Sequence, residues 1–188
     1  MDWNWNAISA VATVAATIAA LGIASRTEYK ARKVARKMAG LHAATYHPQL
    51  TDIVDIVGRI NVSLKIQKID IAICDNFPTL LPERWESAIS VLDAEALSLL
   101  EPLPNNAAYR AAVAIGCLKA IGRELREFEN AKVGWHQMNR NERMTHLTRI
   151  KDVIYYAHVT LRAALLDFEK GSLPHVKPLT PEEQGFVD

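Results

Sequence analysis

Residues 7–25 read AISAVATVAATIAALGIAS, and no ionisable side chain occurs between Asp2 and Arg26. A helix rises about 1.5 Å per residue, so an uncharged window of about 20 residues matches a hydrocarbon core of about 30 Å. Six cations follow at once, Arg26, Lys30, Arg32, Lys33, Arg36 and Lys37. Trp3 and Trp5 stand at the other end, where an aromatic belt would lie. This pattern predicts a single transmembrane helix, with lipid headgroups meeting Trp3, Trp5 and the six cations. The apolar gain is small. Eight of the nineteen residues are Ala. The strongly apolar ones, Ile8, Val11, Val14, Ile18, Leu21 and Ile23, supply roughly 0.3 to 0.6 kcal/mol each on an insertion scale, and Ser9, Thr13 and Thr17 erode that sum. The competing reading is an Ala-rich helix within a wholly soluble bundle.

Orientation follows from the charge asymmetry, because the flank richer in Lys and Arg stays in the cytoplasm. The expected topology is an inner (plasma) membrane protein of bacterial type, N-terminus outside and C-terminal domain cytoplasmic. Residues 1–6 carry no Lys or Arg, so a cleaved signal peptide is not expected. Cys74 and Cys117 lack metal-like spacing and read as reduced thiols. Residue size is sorted around the helix. Val11, Val14, Ile18 and Leu21 fall on one side, while Ala12, Ala16, Ala20 and Ala24 repeat every four residues on the other, flanked by Ser9 and Thr13. Small residues at that spacing let two helices approach closely in lipid, so Ser9, Ala12, Thr13, Ala16, Ala20 and Ala24 are the expected oligomerisation face of a homo-oligomer.

At 188 residues, 49% hydrophobic and 23% charged, the chain has a globular composition with room for one ordinary domain beside the anchor. A net charge of +1 hides a basic segment at 26–37 and an acidic middle that includes Asp52, Asp55, Asp70, Asp75, Glu83 and Glu86. The basic segment is explained by anionic lipid, and only Tyr29 within it could stack on a base, so nucleic acid is not an expected partner.

The reading divides the chain into an anchor (1–25), a basic helical stalk (26–47), a cytoplasmic helical bundle (48–171) and a Pro-rich flexible tail (172–188). Pro48 is expected to end the stalk helix and open the next. Residues 50–75 are read as helix, although Ile60, Val62, Leu64 and Ile66 also alternate as a strand would. One helix is expected from Pro82 to the turn at Glu101, with Trp85, Ile89, Leu92, Ala96 and Leu99 on one face. Another covers about 106–133, carrying Ala108, Ala112, Ile115, Leu118, Leu125 and Phe128. The last starts near Asn141 and carries Met144, Leu147, Ile150, Ile154, Ala157, Leu161, Leu165 and Phe168. The fold class is therefore all-α: a transmembrane helix, a stalk and an antiparallel bundle.

His136, His146 and His158 lie ten and twelve residues apart, which is not the spacing of a helical metal site, so neither metal nor cofactor is expected. Carboxylates at i, i+3, such as Glu83 with Glu86 and Glu124 with Glu127, suit charged outer helix faces. No nucleophile elbow or Gly-rich phosphate loop occurs. The stretch RNERMTH, residues 140–146, resembles the Arg-x(4 to 6)-His motif of the HEPN ribonucleases, helical bundles that dimerise around a composite RNA-cleaving site. The resemblance implies that Arg140 and His146 act on the scissile phosphate and 2′-hydroxyl, with Asn141 assisting, in a membrane-tethered ribonuclease. The other reading has Arg140 and Arg143 solvated and Asn139 or Asn141 capping the helix. Together these features favour a non-enzymatic, membrane-anchored interaction or assembly module that binds an unidentified protein partner or its own copies. The alternatives are the tethered HEPN-like ribonuclease and a wholly soluble helical-bundle interaction protein.

Overall fold

The computed structural model describes residues 5–67, 70–71, 74, 77–130 and 134–172. Five α-helices occur among them: α1 (Trp5–Ile66), α2 (Phe77–Ser90), α3 (Ala94–Leu99), α4 (Ala107–Asn130) and α5 (Arg140–Ser172). Short 3-10 turns at Pro104–Asn106 and Trp135–Gln137 precede α4 and α5. The chain divides into two compact units, Met1–Met38 and Ala39–Asp188, and α1 contributes to both. The Pro-rich tail, beyond Ser172, falls outside the described residues.

Among the described residues no helix is long and apolar enough to cross a membrane. This overturns the transmembrane anchor. With it go the single-pass membrane protein, the lipid partners, and the inner-membrane topology with its N-terminus outside and its C-terminal domain in the cytoplasm. The physical reason lies in the side chains. Ala dominates the apolar stretch, and Ser9, Thr13 and Thr17 interrupt it, so its summed apolarity is low. α1 runs without interruption through the basic segment to Ile66, past the stalk end expected at Pro48.

The second unit is a helical bundle. Its share of α1 buries Ala39, Ala43, Leu50, Ile53, Val57, Ile60 and Leu64, at spacings of three, four and seven residues that put them on one face. Pro48 stands inside α1 instead of ending it. A proline there forfeits one backbone hydrogen bond, and the helix is held by burial on both sides of it, at Ala43 and at Leu50. Opposite α1 lies α5, running antiparallel: Gly58 meets His158 and the Lys65 ammonium lies 5.1 Å from the Tyr155 ring centroid, so the two numbers move in opposite directions. The pair α4 and α5 is antiparallel by the same test, with Glu124 paired to Arg149 and Arg110 to Asp167.

The helix expected from Pro82 to residue 100 is two helices. α2 begins earlier, at Phe77, and Asp93 starts α3 afresh, its carboxylate accepting from the Ala96 N–H at 2.8 Å. This break turns Leu100 fully inward and leaves Leu99 exposed. Trp85 packs against α4, where a side chain at Gly122 would meet its indole at 3.8 Å, and Arg126 of α4 binds Glu86 of α2.

Gly58 marks a close approach of the two helices: a Cβ there would stand 3.1 Å from Nε2 of His158. Burial, then the charges of Arg162 and Lys65, hold the His158 imidazole below its ordinary value near 6.5. The unfolded chain therefore takes up this proton first on acidification, and the contribution to stability, complete above about pH 6.5, is lost as pH falls further. Urea unfolding at about pH 7.5 and about pH 5.5 is expected to show that loss in the parent and a shallower pH dependence in His158→Gln. Equal slopes in the two would remove His158 from the account.

Candidate functional site

Two regions were singled out by sequence, and they differ in geometry. The first is the 5–38 portion of α1. Val11, Val14, Ile18, Leu21 and Ile23 are 58 to 70% exposed, and Ala12, Ala16, Ala20, Ala24, Ser9 and Thr13 are exposed as well. Trp3 and the Trp5 side chain lie outside what is described. Arg26, Lys30, Arg32, Lys33, Arg36 and Lys37 are all exposed, and Arg32 pairs with Glu28 one turn earlier. At 100° per residue, Val11, Val14, Ile18 and Leu21 lie within one sector about 80° wide. Arg26, Lys30, Lys33 and Lys37 share a second sector about 60° wide, centred well around the helix from the first.

The second region is the start of α5. Asn139 caps it reciprocally with Glu142: the Glu142 N–H donates to Asn139 Oδ1 at 3.0 Å, and the Asn139 N–H donates to Glu142 Oε2 at 2.8 Å. Arg140 and Asn141 are exposed, whereas His146 is half-buried, its ring edge-on to Phe128 with centroids 4.7 Å apart and its Nδ1 4.0 Å from Glu124. Six residues along a helix amount to 600°, so Arg140 and His146 leave α5 about 120° apart. Arg143, read as solvated, instead lies 5.9 Å from the Trp135 ring and donates to the His136 carbonyl at 2.7 Å. The helix start that carries the motif is locked onto a tryptophan through Arg143.

No protein family, no curated protein and no solved structure matches this chain. Function therefore has to be argued from the chain's own surfaces.

The remaining chemistry is thin. Among the described residues no group of three or more His, Cys, Asp or Glu is arranged to hold a metal ion. Glu86 and Glu124, members of the sequence's carboxylate pairs, are each taken up by an arginine of another helix, Arg126 of α4 and Arg149 of α5. Among the described residues, a cavity of 230 Å³ lined by Ile60, Leu64, Phe77 and Leu81 has Ser63, Gln67, Cys74 and Arg84 as its polar or sulfur-bearing neighbours. Sequence reasoning overlooked Asp167, a carboxylate on α5 with 4% exposure, which binds Arg110 and Asn105 at 2.9 Å each. Its signal is faint, a lone acid between Leu166 and Phe168 in an apolar run.

Proposed function

We propose that this chain is a helical-bundle assembly module, without an anchor in the bilayer, that pairs with a second copy of itself through the 5–38 portion of α1. The observation that carries the reading is the exposure of Val11, Val14, Ile18 and Leu21, 70, 58, 65 and 62%, at successive spacings of three, four and three residues. That is the seam of a two-stranded coiled coil. Water, as opposed to lipid, changes which face associates. In a bilayer the small residues of the Ala ladder would meet, because packing is what drives helices together there. In water the driving force is apolar area removed from solvent, which favours the bulky face.

Continuing the same spacing past Leu21 reaches Ser25, Glu28 and Arg32. These polar positions end the apolar seam, so the contact is confined to residues 11–21 of each copy. Half-burial of eight such apolar side chains, at about 1.5 to 3 kcal/mol each for full burial, supplies roughly 6 to 12 kcal/mol. The cost of bringing two chains together is of similar size, about 4 to 15 kcal/mol, so pairing is reversible and depends on concentration.

Sedimentation equilibrium of the full chain is expected to show a monomer–dimer equilibrium that Ile18→Asp with Leu21→Asp abolishes while leaving the helical spectrum and the melting transition in place. Ala16→Ile with Ala20→Ile is expected to leave the dimer intact. A parent chain that is monomeric at all concentrations, or that is recovered only with lipid, overturns the reading.

A further inference from the structure

Once the membrane anchor is withdrawn, the basic segment loses the partner that explained it. Six of the chain's 22 Lys and Arg fall within twelve residues, against one acid, Glu28, which is occupied by Arg32. Four of the six, Arg26, Lys30, Lys33 and Lys37, are exposed and recur at intervals of four, three and four residues. They form a straight row on one face, about 16 Å long at 1.5 Å per residue. Numbered from the seam, these are outward positions, so the row stays open whether or not a second copy is bound.

We propose that this row binds the phosphate backbone of double-stranded nucleic acid. A duplex strand carries a phosphate about every 3.4 Å of its axis, so a row of that length can lie beside several. Two alternatives fit less well. A helix that lies on an anionic lipid surface needs an apolar face to sink into it, and within 26–37 Val34 is the only aliphatic side chain larger than Ala. Single strands are held by several aromatic platforms, and this stretch has Tyr29 alone. A backbone contact needs neither, and it carries no base preference. The inference goes beyond self-association and does not depend on it, since one chain presents the complete row.

The test is fluorescence anisotropy of a labelled mixed-sequence DNA duplex titrated with the full chain across a salt series. The logarithm of the binding constant is expected to fall with the logarithm of salt concentration at a slope near −3.6 per chain, about −0.9 for each of four phosphates neutralised. Lys30→Gln with Lys33→Gln is expected to weaken binding about 50-fold at about 0.1 M salt and to make the slope shallower by about 1.8. Lys119→Gln with Lys170→Gln, on the bundle, is expected to change neither. The seam variant Ile18→Asp with Leu21→Asp is expected to keep binding at the single-chain slope, so a failure of pairing and a failure of the row are told apart. Absence of duplex binding at about 0.05 M salt, or a slope unchanged in Lys30→Gln with Lys33→Gln, overturns the proposal. So does binding to phosphatidylserine vesicles without binding to the duplex.

Discussion

Trp135→Ala is expected to destabilise the bundle by about 3 to 5 kcal/mol, among the largest losses any single substitution in this chain would cause. Trp135 sits in a three-residue turn between α4 and α5, a place where exposed residues are the rule, yet it is 1% exposed. Its ring lies 5.3 Å from Phe77 and 6.3 Å from Phe128, and its Nε1–H donates to the Cys74 carbonyl at 2.9 Å. One side chain thus ties the α4–α5 connection to the start of α2 and to the segment before it. Removal leaves a cavity and also strips Arg143 of the ring beneath it. A chain of this size loses about 2 to 4 °C of melting temperature per kcal/mol, so thermal unfolding should shift down by roughly 6 to 20 °C. Trp135→Phe keeps most of the volume and gives up only the N–H, with an expected loss nearer 1 to 2 kcal/mol. Tyr109→Ala, at a site 71% exposed, should stay within about 0.5 kcal/mol. If Trp135→Ala behaved like Tyr109→Ala, the turn would not be part of the core.

Periodicity made the middles of the long helices readable in advance. Ile115, Leu118 and Leu125 on α4, and Leu147, Ile150, Ile154, Ala157, Leu161 and Phe168 on α5, were read as apolar stripes and are buried. Periodicity is silent where a residue's neighbours come from elsewhere in the chain. Ala39 and Ala43 were assigned to a solvated stalk, and both are fully buried, because an alanine in a Lys-rich stretch gives no sign of what packs on it. Pro48 and Pro82 were read as helix boundaries from their local cost, and burial around each overrode that cost. The membrane reading failed for a related reason. Absence of charge is a strong local signal, but crossing a membrane depends on summed apolarity, and a run of Ala and Thr supplies little of it. At the start of α5 the spacing of Arg140, Asn141 and His146 is legible in the sequence, whereas the contacts of His146 with Phe128 and Glu124 come from α4 and are not.

Arg110→Ala is expected to cost more than removal of the carboxylate it binds, an asymmetry set by which partner is buried. The Arg110 side chain is 43% exposed and that of Asp167 only 6%. Taking away one member of a fully buried pair costs about 3 to 5 kcal/mol, because the other charge is stranded. Here Asn105 still donates to Asp167 Oδ1 at 2.9 Å, which moderates the loss to about 2 to 3 kcal/mol. Asp167→Leu strands nothing comparable, since the guanidinium swings into water and only the Asn105 amide loses an acceptor, for about 1 kcal/mol. The backbone at Asn105, with φ of 58°, remains one that asparagine tolerates. The double variant Arg110→Ala with Asp167→Leu should then be no worse than Asp167→Leu by more than a few tenths, and urea unfolding of all four proteins would yield a coupling energy of about 2 to 3 kcal/mol. A coupling near zero, with Arg110→Ala the milder single variant, would make this contact an ordinary surface ion pair worth about 0 to 1 kcal/mol. The tie between α5 and the turn before α4 would then rest on packing, with Leu103 lying where a Cβ at Gly171 would come within 2.7 Å of it.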